Sequence, residues 1–277
     1  MARFSHKGVC YHVSEWGEAQ DPPLVLLHGF SETSSTWERV APSLAQGRYV
    51  VAPDLVGHGR SDRPGDPAAY DPAALLDMLA ALLGWLQADR ADFVGYSMGG
   101  RVALLFACAQ PCRVASLVLE STGLGPATEE QRQAMLKRDR ETVALLQEGD
   151  NEAFADFWEG QPLFDTQKGL PADLQARIRA TRVANDPRAL ALMVRGAGQH
   201  AMPDLSHEVV ALPMGVLYIA GIHDRRYRGI AEGLQREGIA SVLLDTGHNA
   251  HLEAPKPYIR HVKKFLESSP LHAQGAK

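Results

Sequence analysis

Residues 92–107 read DFVGYSMGGRVALLFA. An apolar run stops at a serine set between glycines, and a segment with helical period begins at once. Gly95-Tyr96-Ser97-Met98-Gly99 fits G-x-S-x-G in a strand–turn–helix setting, the pattern of a nucleophile elbow. The sharp turn strains the serine backbone and lifts its hydroxyl above the end of the sheet. Flanking glycines carry no side chains to collide there. The Met98 amide opens the helix, where free N–H groups and the macrodipole favour negative charge. The plainer alternative is a glycine-rich strand–helix turn with no chemistry.

A serine hydroxyl is a weak nucleophile and a weak base until a neighbour takes its proton. The elbow therefore predicts an acid and then a histidine further along the chain. AGIHD follows the apolar run GVLYIAG and supplies Asp224; DTGHNAH follows the next run and supplies His248. Both fall at strand C-terminal ends, where the ligand sites of α/β sheets gather. Glu120, at the end of an earlier run, is the rival acid, and Asp245 a lesser one. His251 makes H-x-x-H with His248, but no third ligand stands at metalloprotease spacing, so no metal is expected. It reads instead as a supporting or surface residue. LLHGF ends an early run, and the Phe30 amide there is placed to join that of Met98 around an oxyanion. His58, in DLVGHGRSD, reads as structural.

Outward from the elbow, LVLLH (24–28), YVVAPDL (49–55), VASLVLES (114–121), GVLYIAG (215–221) and SVLLDTG (241–247) repeat the apolar pattern. Most are apolar on both faces, as strands covered by helices on each side must be. Helical segments lie between them, the clearest at 71–90 with Asp71 as N-cap and Pro72 at the first helical position. Alternation of this kind predicts parallel βαβ units in an α/β sheet. The first strands, over 3–17, are more polar and predict an antiparallel edge hairpin; the last dozen residues read as frayed. Between 124 and 212 no buried strand is evident and helical patterns follow one another. The expected organisation is a core of 1–123 and 213–277 with a helical lid of 124–212.

A chain of 277 residues is long enough for one such domain with its insertion. Hydrophobic residues make up 45% and charged residues 22%, and the net charge of −5 offers nothing to nucleic acid or an anionic membrane. No apolar run approaches the roughly 18 residues of a membrane span, and the first residues lack the apolar core of a secretory signal. Cys10, Cys108 and Cys112 read as buried small hydrophobes in a reducing cytoplasm. Nothing fixes the oligomeric state beyond a monomer or small homo-oligomer.

HGF, DLVGHGRSD, GYSMGG, GIHD and GHNAHLE, in this order, resemble the α/β-hydrolase superfamily over nearly the whole chain. That fold implies a mostly parallel sheet flanked by helices. Its members include hydrolases, lyases and receptors, so the fold does not settle function. Serine at the elbow argues against the dehalogenases and epoxide hydrolases, which carry aspartate there. GYSMGGRVAL, LVLESTGLG, EEQRQAMLKRD, FWEGQPLF, Asp224-Arg225-Arg226-Tyr227 and GHNAHLEAP together resemble a narrower family, the 2-succinyl-6-hydroxy-2,4-cyclohexadiene-1-carboxylate synthases of menaquinone biosynthesis. The resemblance implies a lyase without a cofactor that removes pyruvate from a small polycarboxylate substrate. It implies Ser97, Asp224 and His248 as the triad and the Phe30 and Met98 amides as oxyanion donors. Tyr96, Arg101, Trp158 and Arg182 would contact substrate.

Arg101 is one turn after Ser97, which places a guanidinium near the serine mouth. The insertion as a whole is not basic, with 10 Lys/Arg against 14 Asp/Glu over 124–211, so any anion site depends on placement. Where the family pattern predicts a further lid arginine, Met135 stands; Arg132 and Arg138, one turn to either side, are the candidate replacements. A serine hydrolase of esters or carbon–carbon bonds with the same triad remains the alternative, and a receptor-like member without activity the third reading.

Overall fold

The aliphatic runs come together as one eight-stranded sheet in the computed structural model, which describes residues 2–271. The strands are β1 (Ala2–His6), β2 (Val9–Trp16), β3 (Pro23–Leu27), β4 (Tyr49–Pro53), β5 (Ala91–Tyr96), β6 (Val114–Glu120), β7 (Gly215–Gly221) and β8 (Ala240–Leu244). Their spatial order is β1-β2-β4-β3-β5-β6-β7-β8. The polar opening hairpin is antiparallel and continues antiparallel onto β4, while every pairing from β4 through β8 is parallel.

Strand alternation divides the core in two. Val25 and Leu27 turn to one face, with Leu79 and Leu82 of α2 (Pro72–Trp85), Val102 and Phe106 of α3 (Met98–Ala109) and Leu234 of α9 (Arg225–Arg236). Leu24 and Leu26 turn to the other, with Leu44 of α1 (Ala41–Leu44) and Tyr258 and Val262 of α11 (Pro255–Leu266). Between β6 and β7 the chain forms only helices: α4 (Glu129–Glu148), α5 (Asn151–Glu159), α6 (Ala172–Val183), α7 (Pro187–Ala197) and α8 (Glu208–Ala211), with short 3₁₀ turns.

Three details differ from the sequence reading. The run at 241–247 is not covered on both faces: β8 is the outer strand, and Leu243 is 39% exposed. The three cysteines are not buried; Cys112 is exposed and the other two are intermediate. The frayed end lies partly outside the described residues, and the part that is described is anchored. Ser269 Oγ donates to buried Asp92 at 2.6 Å, and Asp92 also pairs with Arg48 and accepts from Ser116 at 2.5 Å. Asp71 does stand at the N-cap of α2, although its side chain makes no capping hydrogen bond.

The packing of α3 onto the sheet sets the elbow. A Cβ on Gly99 would lie 2.2 Å from the carbonyl oxygen of Leu27 and 2.6 Å from that of His28, both backbone atoms. Only a hydrogen allows α3 to sit this close to β3. Gly99→Ala should therefore push α3 off the sheet and cost about 1–3 kcal/mol, as overpacking does, while displacing Ser97. Chemical unfolding of the variant, with reactivity of Ser97 measured alongside, checks both effects.

Candidate active site

The apolar β5 ends at Tyr96, and the chain reverses into α3 through Ser97 at φ 50°, ψ −106°. A non-glycine residue in that conformation stores about 1–3 kcal/mol and must be held by its surroundings. The Ser97 N–H donates to the Glu120 carbonyl at 2.9 Å, continuing the β5–β6 ladder, and the Ser97 carbonyl accepts from Arg101 N at 3.1 Å. The hydroxyl is thereby fixed at the C-terminal end of the sheet.

Asp224 follows β7 and caps α9, its Oδ1 accepting from Tyr227 N at 3.5 Å. Its Oδ2 accepts a hydrogen bond from His248 Nδ1 at 2.7 Å, and His248 Nε2 faces Ser97 Oγ at 3.0 Å. The side chains of Asp224 and His248 are each 2% exposed. With Nδ1 donating to the carboxylate, Nε2 presents its lone pair to the serine. Phe30 follows β3, whose Leu27 pairs with Gly95, so its loop lies beside the elbow. Met98 is the first residue of α3.

These groups open on one cavity of about 310 Å³. Phe30, Tyr96, Ser97, Met98 and His248 form its floor, and Trp158, Gln161 and Phe164 contribute from the helical insertion. Three guanidinium-bearing residues line it: Arg101, Arg138 and Arg226. Arg101 is anchored by donating Nη1 to Ala197 O at 2.8 Å, and burial lowers its pKa from the ordinary arginine value. The acidic residues in the wall are Glu32 and Asp139, the latter bonded to His200 Nδ1 at 2.7 Å. The Tyr96 phenol is pushed well above its ordinary pKa, first by burial and then by Glu32 and Glu120, so it keeps its proton.

Two arginines expected at the substrate are elsewhere. Arg132 Nη1 donates to the carbonyls of His200 and Met202, at 2.5 and 3.3 Å, and does not line the cavity. Arg182, 2% exposed, faces a second cavity of about 250 Å³ behind Phe164. It pairs with Glu159 at 2.8 Å and lies 5.1 Å from the centre of the Phe164 ring, which borders both cavities. Met135 is buried and outside the cavity wall, so Arg138 is the flanking arginine that reaches it.

The rival acids are also engaged elsewhere: Glu120 bonds His251, and Asp245 bonds His223 at 2.8 Å. His251 is not a surface residue; it is fully buried. His58 is buried against Phe30, with ring centroids 5.9 Å apart, and desolvation pushes its pKa down to about 3. It stays neutral there. The residues passed over by sequence reasoning include Glu32 and Gln199, neither of them in a motif, and Asp139, the last residue of EEQRQAMLKRD. Gln161, Phe164 and Tyr227 stand inside motifs already quoted and gave a signal that was not read.

Comparison with known proteins agrees with this fold. Residues 22–196 match the model of the alpha/beta hydrolase fold family. A putative 2-succinyl-6-hydroxy-2,4-cyclohexadiene-1-carboxylate synthase of Bacillus subtilis is 33% identical over 264 residues, covering 94% of this chain and 96% of the relative. The corresponding synthase of Klebsiella pneumoniae is 31% identical, covering 91% and 96%. Among solved structures, MenH from S. aureus superposes with a TM-score of 0.85 at 28% identity, covering 93% of this chain and 97% of that one. An enol-lactonase from Burkholderia xenovorans LB400, with a TM-score of 0.82 at 23% identity, shares the fold. The chain belongs to the α/β-hydrolase family and, within it, to the family of the 2-succinyl-6-hydroxy-2,4-cyclohexadiene-1-carboxylate synthases.

Proposed function

We propose that this protein is a carbon–oxygen lyase of menaquinone biosynthesis. It eliminates pyruvate from 2-succinyl-5-enolpyruvyl-6-hydroxy-3-cyclohexene-1-carboxylate and leaves 2-succinyl-6-hydroxy-2,4-cyclohexadiene-1-carboxylate. One observation carries this reading beyond the fold: Arg101, Arg138 and Arg226 surround the cavity in front of Ser97. A substrate with carboxylates on three arms suits such a wall, because each guanidinium offers a planar fork to a carboxylate.

The chemistry follows from the bonds that change. The ring proton beside the succinyl ketone leaves, and its electron pair forms a new ring double bond. The existing ring double bond moves by one carbon, and the bond from the ring to the enolpyruvyl oxygen breaks. In this proposal the Ser97–His248 pair, oriented by Asp224, is the base. Negative charge gathers on the ketone oxygen, where the Phe30 and Met98 amides receive it. His248 then carries the proton toward the departing enolate, which becomes pyruvate. No acyl group forms on Ser97, and the steps call on no cofactor. The helical insertion, with Trp158 and Phe164, serves as a lid that keeps water from the intermediate. We place the reaction in the cytoplasm, a reading the free thiols of Cys10, Cys108 and Cys112 support. Among the described residues no helix is long and apolar enough to cross a membrane.

Given the purified protein and the enolpyruvyl substrate, pyruvate should appear in step with a conjugated cyclohexadiene absorbance. Fast cleavage of a short-chain ester with an acyl burst, and no pyruvate, would assign the same triad to a hydrolase.

Substitutions should sort by position. Ser97→Ala and His248→Ala should each lower kcat by roughly 10³-fold or more, and Asp224→Asn by less than the loss of the histidine. Arg101→Ala should reduce kcat/KM by about 1.5–3 kcal/mol, the range for hydrogen bonds to charged groups, and Arg101→Lys should restore only part of it. Steady-state kinetics on folded variants decide; unchanged kcat/KM in Arg101→Ala would move the carboxylate site elsewhere.

A further inference from the structure

Glu120 is fully buried at the end of β6 and bonds the Ser97 backbone on one side and His251, a neighbour of His248 in the chain, on the other. Its main-chain oxygen accepts the Ser97 N–H at 2.9 Å. Its carboxylate accepts the backbone N–H of His251 at 3.0 Å and the His251 ring nitrogen Nδ1 at 2.8 Å. His251 stands three residues beyond His248, on the short helix α10 (Ala250–Glu253). Its other ring nitrogen, Nε2, meets the Thr36 hydroxyl at 2.9 Å, in the 3₁₀ turn Ser34–Arg39 that follows the Phe30 loop. Trp37 stacks on the His251 ring at 4.1 Å, and the Tyr96 ring lies 5.1 Å from His251 and 5.3 Å from His248.

A carboxylate and an imidazole with no exposed surface are an expensive way to fill a core. Well-packed apolar side chains would do as well or better for stability alone. None of Glu120, His251 and Thr36 lines the cavity in front of Ser97, so substrate binding does not explain them. The hydroxyl–imidazole–carboxylate order imitates a second triad. Yet Thr36 is only 9% exposed, and the groove it borders holds about 50 Å³, far below the volume of a substrate site. What the three residues do span is the machinery itself: the elbow through Glu120, the histidine loop through His251, and the oxyanion loop through Thr36.

We propose that Glu120, His251 and Thr36 form a positioning relay that sets Ser97, His248 and the Phe30 loop at their working separations. The proposal rests on the reading of Ser97 and His248 as the reacting pair. The far side of the histidine loop is held separately, by Gly247 N donating to Glu253 at 2.7 Å and Asn249 Nδ2 donating to Glu32 at 3.1 Å. Loosening the relay therefore lets His248 shift relative to Ser97 without releasing the loop.

Glu120→Gln keeps the volume but leaves one acceptor oxygen for two His251 donors. The rate at which a small fluorophosphonate labels Ser97 reads the serine's reactivity without the pyruvate-yielding substrate. In Glu120→Gln, labelling and kcat should fall together by roughly 10- to 100-fold, the scale of a misplacement near 1 Å. KM should stay within about twofold and thermal unfolding should remain cooperative. In a Ser97→Ala background the same substitution should cost nothing further in kcat. Thr36→Val, which removes one hydroxyl, should slow labelling by about 3- to 10-fold. Wild-type labelling in a folded Glu120→Gln overturns the relay. Should that variant fail to fold, wild-type labelling in Thr36→Val overturns it and a slowed rate supports it. A wild-type protein that labels readily but yields no pyruvate would reject the lyase and leave this test intact. One that does not label at all would reject the pair and the relay together.

Discussion

The backbone of Ser97 cannot hold φ 50° unaided, and much of the neighbouring structure is arranged to hold it. Its N–H is tied to β6, its carbonyl to the first turn of α3, and α3 itself is pressed onto β3 at Gly99. Because β3 and β5 are adjacent, the same close approach brings the Phe30 loop beside the elbow. Because β7 and β8 follow in the sheet order, Asp224 and His248 arrive at the same end. A crowded helix–strand contact thus fixes a hydroxyl and two amides together.

Around that fixed centre the charges are asymmetric. Asp224 and His248 are buried as a pair, while Arg101, Arg138 and Arg226 face open volume where a ligand's carboxylates can replace lost water. Arg182 is different in kind. It is saturated on one side by Glu159 and stacked on Phe164, so its influence on the cavity passes through that ring. Phe164 borders both cavities, with Arg182 on the side away from Ser97.

The Ser97–His248–Asp224 arrangement was legible because each member sits at the end of an apolar run, and strand ends in a parallel sheet converge. The cavity residues of the helical segment between β6 and β7 were not, since helical spacing gives a relative direction but not which direction faces the cavity. Arg132 and Arg138 are six residues apart on α4, about 120° around an ideal helix. With Met135 buried between them, one reaches the cavity and the other turns to the carbonyls of His200 and Met202. Of the two readings of His251, supporting or surface, only the surface one fails, and nothing local to GHNAH could decide between them, because the ring nitrogen bonds Glu120, 131 positions earlier. Cys112 shows the limit of composition, since a residue type that is usually buried stands on the surface here.

The central claim is that Ser97 moves a proton and never carries an acyl group. The most direct test is to quench the enzyme during turnover of the enolpyruvyl substrate in ¹⁸O-labelled water, then weigh both the intact protein and the products. The account predicts unmodified protein at every time point and a cyclohexadiene product without solvent oxygen, with pyruvate likewise unlabelled once exchange at its carbonyl is corrected for. A transient mass added at Ser97, or ¹⁸O in the ring product, would contradict it.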